Sequence, residues 1–247
     1  MPVTVSDISL PDTEGGSVGL TGVLAVPDGA GPWPGVVLVH EAYGVNEVMR
    51  RQVVRMAEAG YLALMPDLYS QGGARRCLGA TFRALRSGEG RAFVDIERAR
   101  SLLAARPDST GVTGVLGFCM GGGLALAAAS DRGFGAASAN YGMLPRDLDT
   151  LEHACPIVGS YGGRDHSLTG AAGKLSAALT RYGVPHDVKE YPDAGHSFLN
   201  DAGSGPLAVR LLTKSILGAG PNPEAAADAW RRIEAFFAEH LSVKDAG

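Results

Sequence analysis

The sequence predicts an α/β fold, a mostly parallel central sheet flanked by helices, and three observations carry that expectation. Short apolar runs rich in β-branched residues alternate with stretches of helical period, the pattern of successive βαβ units. The central runs, Val36-Val37-Leu38-Val39 and Leu62-Ala63-Leu64-Met65, are apolar at every position, as strands covered on both faces must be. The length of 247 residues suits one such domain over residues 1–247, because a chain of that size buries roughly 70–75% of its unfolded surface and needs no disulfide or structural metal.

Taken in order, strands are expected around Val3 to Ile8 and Gly22 to Val26, then at Val36 to Val39, Leu62 to Met65, Val112 to Leu116, Ala136 to Tyr141, Pro156 to Tyr161 and Asp187 to Tyr191. Asn46 can cap a helix whose Met49, Val53 and Met56 recur at i, i+4 and i+7 before Gly60 stops it. Phe93, Ile96 and Leu103 before Pro107 describe a second helix; Leu175, Leu179 and Tyr182 before Gly183 a third; Trp230, Ile233, Phe237 and Leu241 a last one. In an open α/β sheet, ligands bind beyond the carboxyl ends of the strands. That selects five loops, around His40-Glu41, Asp67, Cys119, Asp165 and His196.

Several function classes fall away on composition. A formal net charge of −4 without runs of like charge offers no footprint for nucleic acid. No basic segment followed by an apolar stretch opens the chain, and nowhere do 18 apolar residues run on, so neither secretion nor membrane insertion is expected. The odd set of three cysteines, Cys77, Cys119 and Cys155, has no close pairing, which argues against a disulfide framework or a zinc knuckle and for a reducing, cytoplasmic setting.

The chemistry concentrates on one turn. After Val115-Leu116 comes Gly117-Phe118-Cys119-Met120-Gly121, followed by Gly122-Gly123-Leu124 and an alanine-rich helix former. Strand, tight turn and helix, with small residues two before and two after the central position, are the context of the nucleophile elbow of the α/β-hydrolase fold. The nucleophile position holds a cysteine, and a helix N-terminus favours thiolate over thiol. The alternative for Cys119 alone is that of a small buried hydrophobe; Cys77 and Cys155 lack the elbow context and are expected to be structural.

A thiol nucleophile needs a base, and the base an orienting acceptor. In this fold the chain order is nucleophile, acid, histidine. Asp165, after Gly162-Gly163-Arg164, and His196, after Pro192-Asp193-Ala194-Gly195, each follow a strand end in that order. Asp193 is the rival acid, explained by its own turn. The backbone N–H of Met120 and one from the loop His40-Glu41-Ala42-Tyr43-Gly44, with Ala42 the choice, are expected to form the oxyanion hole. Tyr43, Ser197, Phe198 and Asn200 are expected to line the substrate pocket. Glu41 is then a carboxylate close to a thiol, where negative charge opposes thiolate formation.

The motifs His40-Glu41-Ala42-Tyr43-Gly44-Val45-Asn46, Pro66-Asp67-Leu68-Tyr69, Gly117-Phe118-Cys119-Met120-Gly121-Gly122 and Ala194-Gly195-His196-Ser197-Phe198 together resemble the dienelactone hydrolase family over nearly the whole chain. The resemblance implies a Cys119–His196–Asp165 triad, no metal, no organic cofactor, and hydrolysis of an enol-lactone through a thioester, in the manner of a carboxymethylenebutenolidase. It also implies that Glu41 holds the resting thiol and moves when substrate binds. One departure bears on substrate. Members acting on the chlorocatechol-pathway lactone carry an arginine four residues after the histidine, where this chain has Asn200. A second family arginine has no secure match among Arg75, Arg76, Arg83 and Arg86. A neutral ester is therefore the alternative substrate to a lactone bearing a carboxylate.

Two other classes compete: a thiol redox protein, which lacks a resolving cysteine, and a non-catalytic binding protein on a hydrolase scaffold. The expected partner is a small ester or lactone, with no nucleic acid and no membrane, the chain acting as a monomer or homodimer. The segment 201–223 is expected to be either a lid over the acyl pocket or a helix packed on the body or a dimer contact.

Overall fold

The computed structural model describes residues 1–205 and 217–242. Eight strands form one sheet: β1 (Val3–Ser9), β2 (Thr21–Pro27), β3 (Trp33–Val39), β4 (Leu62–Pro66), β5 (Ser109–Phe118), β6 (Ala136–Asn140), β7 (Ile157–Gly162) and β8 (His186–Tyr191). Their spatial order is β1-β2-β4-β3-β5-β6-β7-β8. The β1–β2 and β2–β4 pairs are antiparallel and all others parallel, so the expected α/β-hydrolase architecture is present. Each expected strand is found, within three residues at its ends.

Helices α1 (Glu47–Glu58) and α6 (Pro223–His240) cover one face; α2 (Ala74–Ser87), α3 (Arg91–Ala104), α4 (Met120–Ala128) and α5 (Ala171–Arg181) contribute to the cluster on the other. The alternation of strand side chains explains why the central strands are wholly apolar. Val36 and Leu38 join the cluster that holds Met49, Val53 and Met56 of α1 with Trp230, Ile233 and Phe237 of α6. Val37 and Val39 join Phe93, Ile96 and Leu103 of α3. Burying each such large side chain is worth about 1.5–3 kcal/mol, so neither face could be left open. Asn46 caps α1 as expected, its side chain accepting from the Met49 N–H at 3.1 Å.

Helix α2 is not among the helices expected from the sequence. It carries Cys77 on its inward face, 1% exposed, so this thiol is packed where a polar stretch was expected. Residues 206–216, the middle of the segment expected to be a lid or packing helix, lie outside the described residues. Among the described residues no helix is long and apolar enough to cross a membrane.

The topology puts the functional loops together. The chain leaves β3 toward β4 on one side and returns to β5 on the other, which makes the carboxyl ends of β3 and β5 the switch point where α/β sheets bind ligands. Val39 pairs with Gly117, and Phe118 with Asn140. His40-Glu41, Cys119 and Tyr141 therefore leave the sheet side by side.

Candidate active site

Cys119 forms the turn between β5 and α4 with φ 55° and ψ −117°. A non-glycine residue holds such a conformation only where its surroundings over-determine it. Here the Cys119 N–H donates to the Asn140 carbonyl at 3.0 Å, and the Gly123 N–H donates to the Cys119 carbonyl at 3.2 Å. The flanking glycines are needed for contact: a Cβ on Gly117 would lie 1.9 Å from the Gly121 carbonyl oxygen, and one on Gly121 would lie 2.1 Å from that of Val39. Helix α4 has no side-chain cap at its N-terminus, so its first free N–H groups face the turn that carries the sulfur.

His196 and Asp165 meet on the next two loops. His196 Nδ1 stands 2.5 Å from Asp165 Oδ2, and Asp165, 1% exposed, accepts on its other oxygen from the Ser167 N–H and hydroxyl at 3.1 and 2.6 Å. Burial alone would push the His196 pKa down, but hydrogen bonds to Asp165 and to Cys119, with the negative charge of both, overcome it and raise it to about 10. Burial would likewise raise Asp165, and its bonds from His196 and Ser167 hold it below the usual carboxylate range. The acid and base loops are tied together by Arg164 N–H to the Ala194 carbonyl at 2.9 Å. His196 is in turn fixed from beyond, donating its N–H to the Leu217 carbonyl and accepting from the Gly220 N–H, at 3.1 and 3.0 Å. The rival Asp193 is exposed and paired with Arg164, away from the histidine's hydrogen bonds.

Glu41 is buried, 2% exposed. Its Oε2 accepts from Asn200 Nδ2 at 3.2 Å, Oε1 has no partner among the described residues, and Asn200 Oδ1 accepts from the Tyr141 hydroxyl at 3.4 Å. Asn200 is thus a neutral clamp on the carboxylate. Burial, then the charges of Glu41 and Cys119, push the Tyr141 pKa well up, which marks all three as neighbours. Tyr43, half exposed beside the same charges, lies at the rim, where a Cβ on Gly205 would lie 2.7 Å from its ring.

Of the residues expected at the site, Cys119, Asp165, His196, Glu41, Tyr43 and Asn200 converge there. The N–H groups of Met120 and Ala42 make no hydrogen bond among the described residues. Ser197 sits in the loop just past the histidine with φ 59°. Phe198 departs from expectation: it is fully buried and packs on the Tyr141 and Tyr191 rings at 5.6 and 5.0 Å, so it backs the wall instead of lining the pocket. Four further residues stand here to which the sequence assigns no role of their own, although His40 and Tyr69 fall within its motifs: His40, Tyr69, Asn140 and Tyr141. Asn140, besides its backbone bond to Cys119, donates from Nδ2 to the Gly117 carbonyl at 3.2 Å. The strand-end rule that selected the other loops also covers the end of β6, where Asn140 and Tyr141 stand.

The sequence pattern of the dienelactone hydrolase family matches residues 20–241. A candidate carboxymethylenebutenolidase of Escherichia coli is 33% identical over 190 residues, 69% of each chain. The carboxymethylenebutenolidase of Pseudomonas putida is 29% identical over 198 residues, 76% of this chain and 84% of its own. Among solved structures, a candidate dienelactone hydrolase from Klebsiella pneumoniae superposes with a TM-score of 0.78 at 26% identity, covering 97% of this chain and 100% of the other.

Proposed function

The chain belongs to the dienelactone hydrolase family and is a hydrolase of ester or lactone bonds, and on that premise we propose that it works through Cys119 by way of a thioester. The observation that carries this reading is the strained Cys119 turn with the His196–Asp165 pair beside it. An imidazolium held charged next to the sulfur favours the thiolate. The thiolate attacks the carbonyl carbon, and the Met120 and Ala42 N–H groups receive the developing oxyanion. As the tetrahedral intermediate collapses, the carbon–oxygen bond breaks and His196 gives its proton to the departing alkoxide. A lactone opens at this step and keeps both halves on the enzyme. His196, now neutral, takes a proton from water, whose oxygen attacks the thioester and releases the acid and the Cys119 thiolate.

Glu41 acts in this reading as the carboxylate that restrains the resting thiol and withdraws when substrate enters. Asn200 supports a neutral ester or lactone as the preferred substrate, because it offers an amide already engaged by Glu41 and Tyr141 in place of a cation. Three free thiols fit a reducing compartment, the cytoplasm.

Cys119→Ala is expected to abolish hydrolysis of p-nitrophenyl acetate in a folded protein. Acid-quenched wild-type enzyme should carry the acyl mass on the peptide containing Cys119. Activity above a few per cent in the variant, or acyl mass on Cys77 or Cys155, overturns the cysteine mechanism.

A further inference from the structure

His40 is completely buried, and the catalytic scheme above does not use it. Both of its ring nitrogens are engaged. The Leu68 N–H points at Nε2 from 3.2 Å, so Nε2 is the acceptor and the proton resides on Nδ1, which donates to the Glu41 carbonyl at 2.7 Å. Burial pushes the His40 pKa down, against the pull of that backbone bond and of Asp67. The neutral tautomer required by the two bonds therefore persists. Its ring also meets Tyr69 edge-on, 4.8 Å between centroids, and the Tyr69 hydroxyl donates to the Ala42 carbonyl at 3.1 Å.

The peptide unit between Glu41 and Ala42 is planar and trans, so its C=O and N–H point in opposite directions. Its carbonyl is held by His40 and by the Gly44 N–H at 3.0 Å. His40 in turn is held by Leu68, on the loop that follows β4, whereas Cys119 follows β5, on the opposite side of β3. A carbonyl drawn toward the β4 side leaves the Ala42 N–H directed toward the β5 side, where the sulfur stands. That N–H has no acceptor among the described residues, the state of a donor waiting for charge that develops only during reaction.

We propose that His40 is a positioning residue: by holding the Glu41 carbonyl it aims the Ala42 N–H at the oxygen of the scissile carbonyl. Leu68 and Tyr69 of the Pro66-Asp67-Leu68-Tyr69 turn are the abutment against which it works. This assignment rests on the thioester reading above, and it explains why a histidine that never touches substrate stands next to the gate carboxylate.

The test compares His40→Leu, which keeps an apolar side chain of similar bulk but no polar atom, with His40→Gln, whose amide supplies both a donor and an acceptor. Losing one oxyanion donor costs about 10²–10³ in kcat, so a misdirected one should lower kcat of His40→Leu by about 10–10², with KM changed by less than about threefold. His40→Gln should recover most of the loss. A trifluoromethyl ketone, which adds to the thiolate to form a hemithioketal oxyanion, should lose affinity for His40→Leu by the same factor as kcat. Iodoacetamide forms no oxyanion and should alkylate Cys119 at an unchanged rate. A folded His40→Leu with wild-type kcat, or one that loses kcat but keeps ketone affinity, overturns the proposal. A measurement on the wild-type enzyme stands whether or not the variant folds: the Ala42 amide proton should shift downfield when the ketone binds, and an unmoved resonance overturns the proposal. Failure of the thioester reading is separate, because it appears as turnover in Cys119→Ala.

Discussion

Asp165 and Asp193 lie on adjoining loops and both suit a turn, yet their surroundings differ completely. Asp165 is buried with three hydrogen-bonding contacts on its two carboxylate oxygens, whereas Asp193 is exposed against an exposed arginine. Asp165→Asn should lower kcat by about 10²–10⁴, the range found for the orienting acid of the serine triad, while Asp193→Asn should stay within about twofold, since exposed pairs contribute little. Steady-state kinetics on the two variants check this, and the reverse ranking would move the acid. At this scale the sequence made Cys119, Asp165 and His196 legible because each is a reactive side chain just past a strand. His40 and Asn140 were not legible, because their work is to bond to backbone atoms whose positions only the folded chain defines. Phe198 misled for a related reason: adjacency to the histidine in sequence says nothing about which way a ring turns.

The β5–α4 unit shows how an element imposes a residue. Helix α4 crosses the end of β3 so closely that Gly121 touches the Val39 carbonyl, and this contact keeps the elbow beside the Glu41-Ala42 peptide. Gly121→Ala should separate the two, with a loss of at least about 2 kcal/mol and a fall in kcat of about tenfold or more. Gly79 in α2, where an added Cβ meets nothing within 4 Å, is the contrast: Gly79→Ala should gain about 0.5–1 kcal/mol from helix propensity. Thermal melts of both variants separate packing from propensity, and a neutral Gly121→Ala would disprove the contact. Helix α2 itself was not read from the sequence, because Gly72-Gly73 and Arg75-Arg76 obscure its start. Its inward residues Cys77, Leu78, Thr81, Phe82, Ala84 and Leu85 nevertheless follow a helical period once the helix is under way.

For the molecule as a whole, the α/β alternation and the apolar central strands were enough to anticipate the sheet, since both follow from burying two faces of one layer. Strand order was not, because it depends on which crossovers pack, and that is a property of the assembled helices. The buried His196–Asp165 pair also ties global stability to pH. The folded pKa of His196 lies near 10, above its ordinary 6.5, so the native state holds the extra proton. That stabilisation is complete below about pH 6.5 and is lost as pH rises to about 10. Urea midpoints should decline across this window, and Asp165→Asn, which removes a principal partner raising the pKa, should flatten the decline; parallel curves would deny the linkage. The two sulfurs outside the site have a different use. Cys77 is sealed beneath α2 and cannot react until that helix lifts, whereas Cys155 is partly exposed and is slowed by burial that pushes its thiol up to about 12. Once Cys119 is capped, Cys77 becomes a clock: the pace at which a thiol dye reaches it times the lifting of α2, and the partly exposed Cys155 gives the reference against which that breathing motion is read by mass alone.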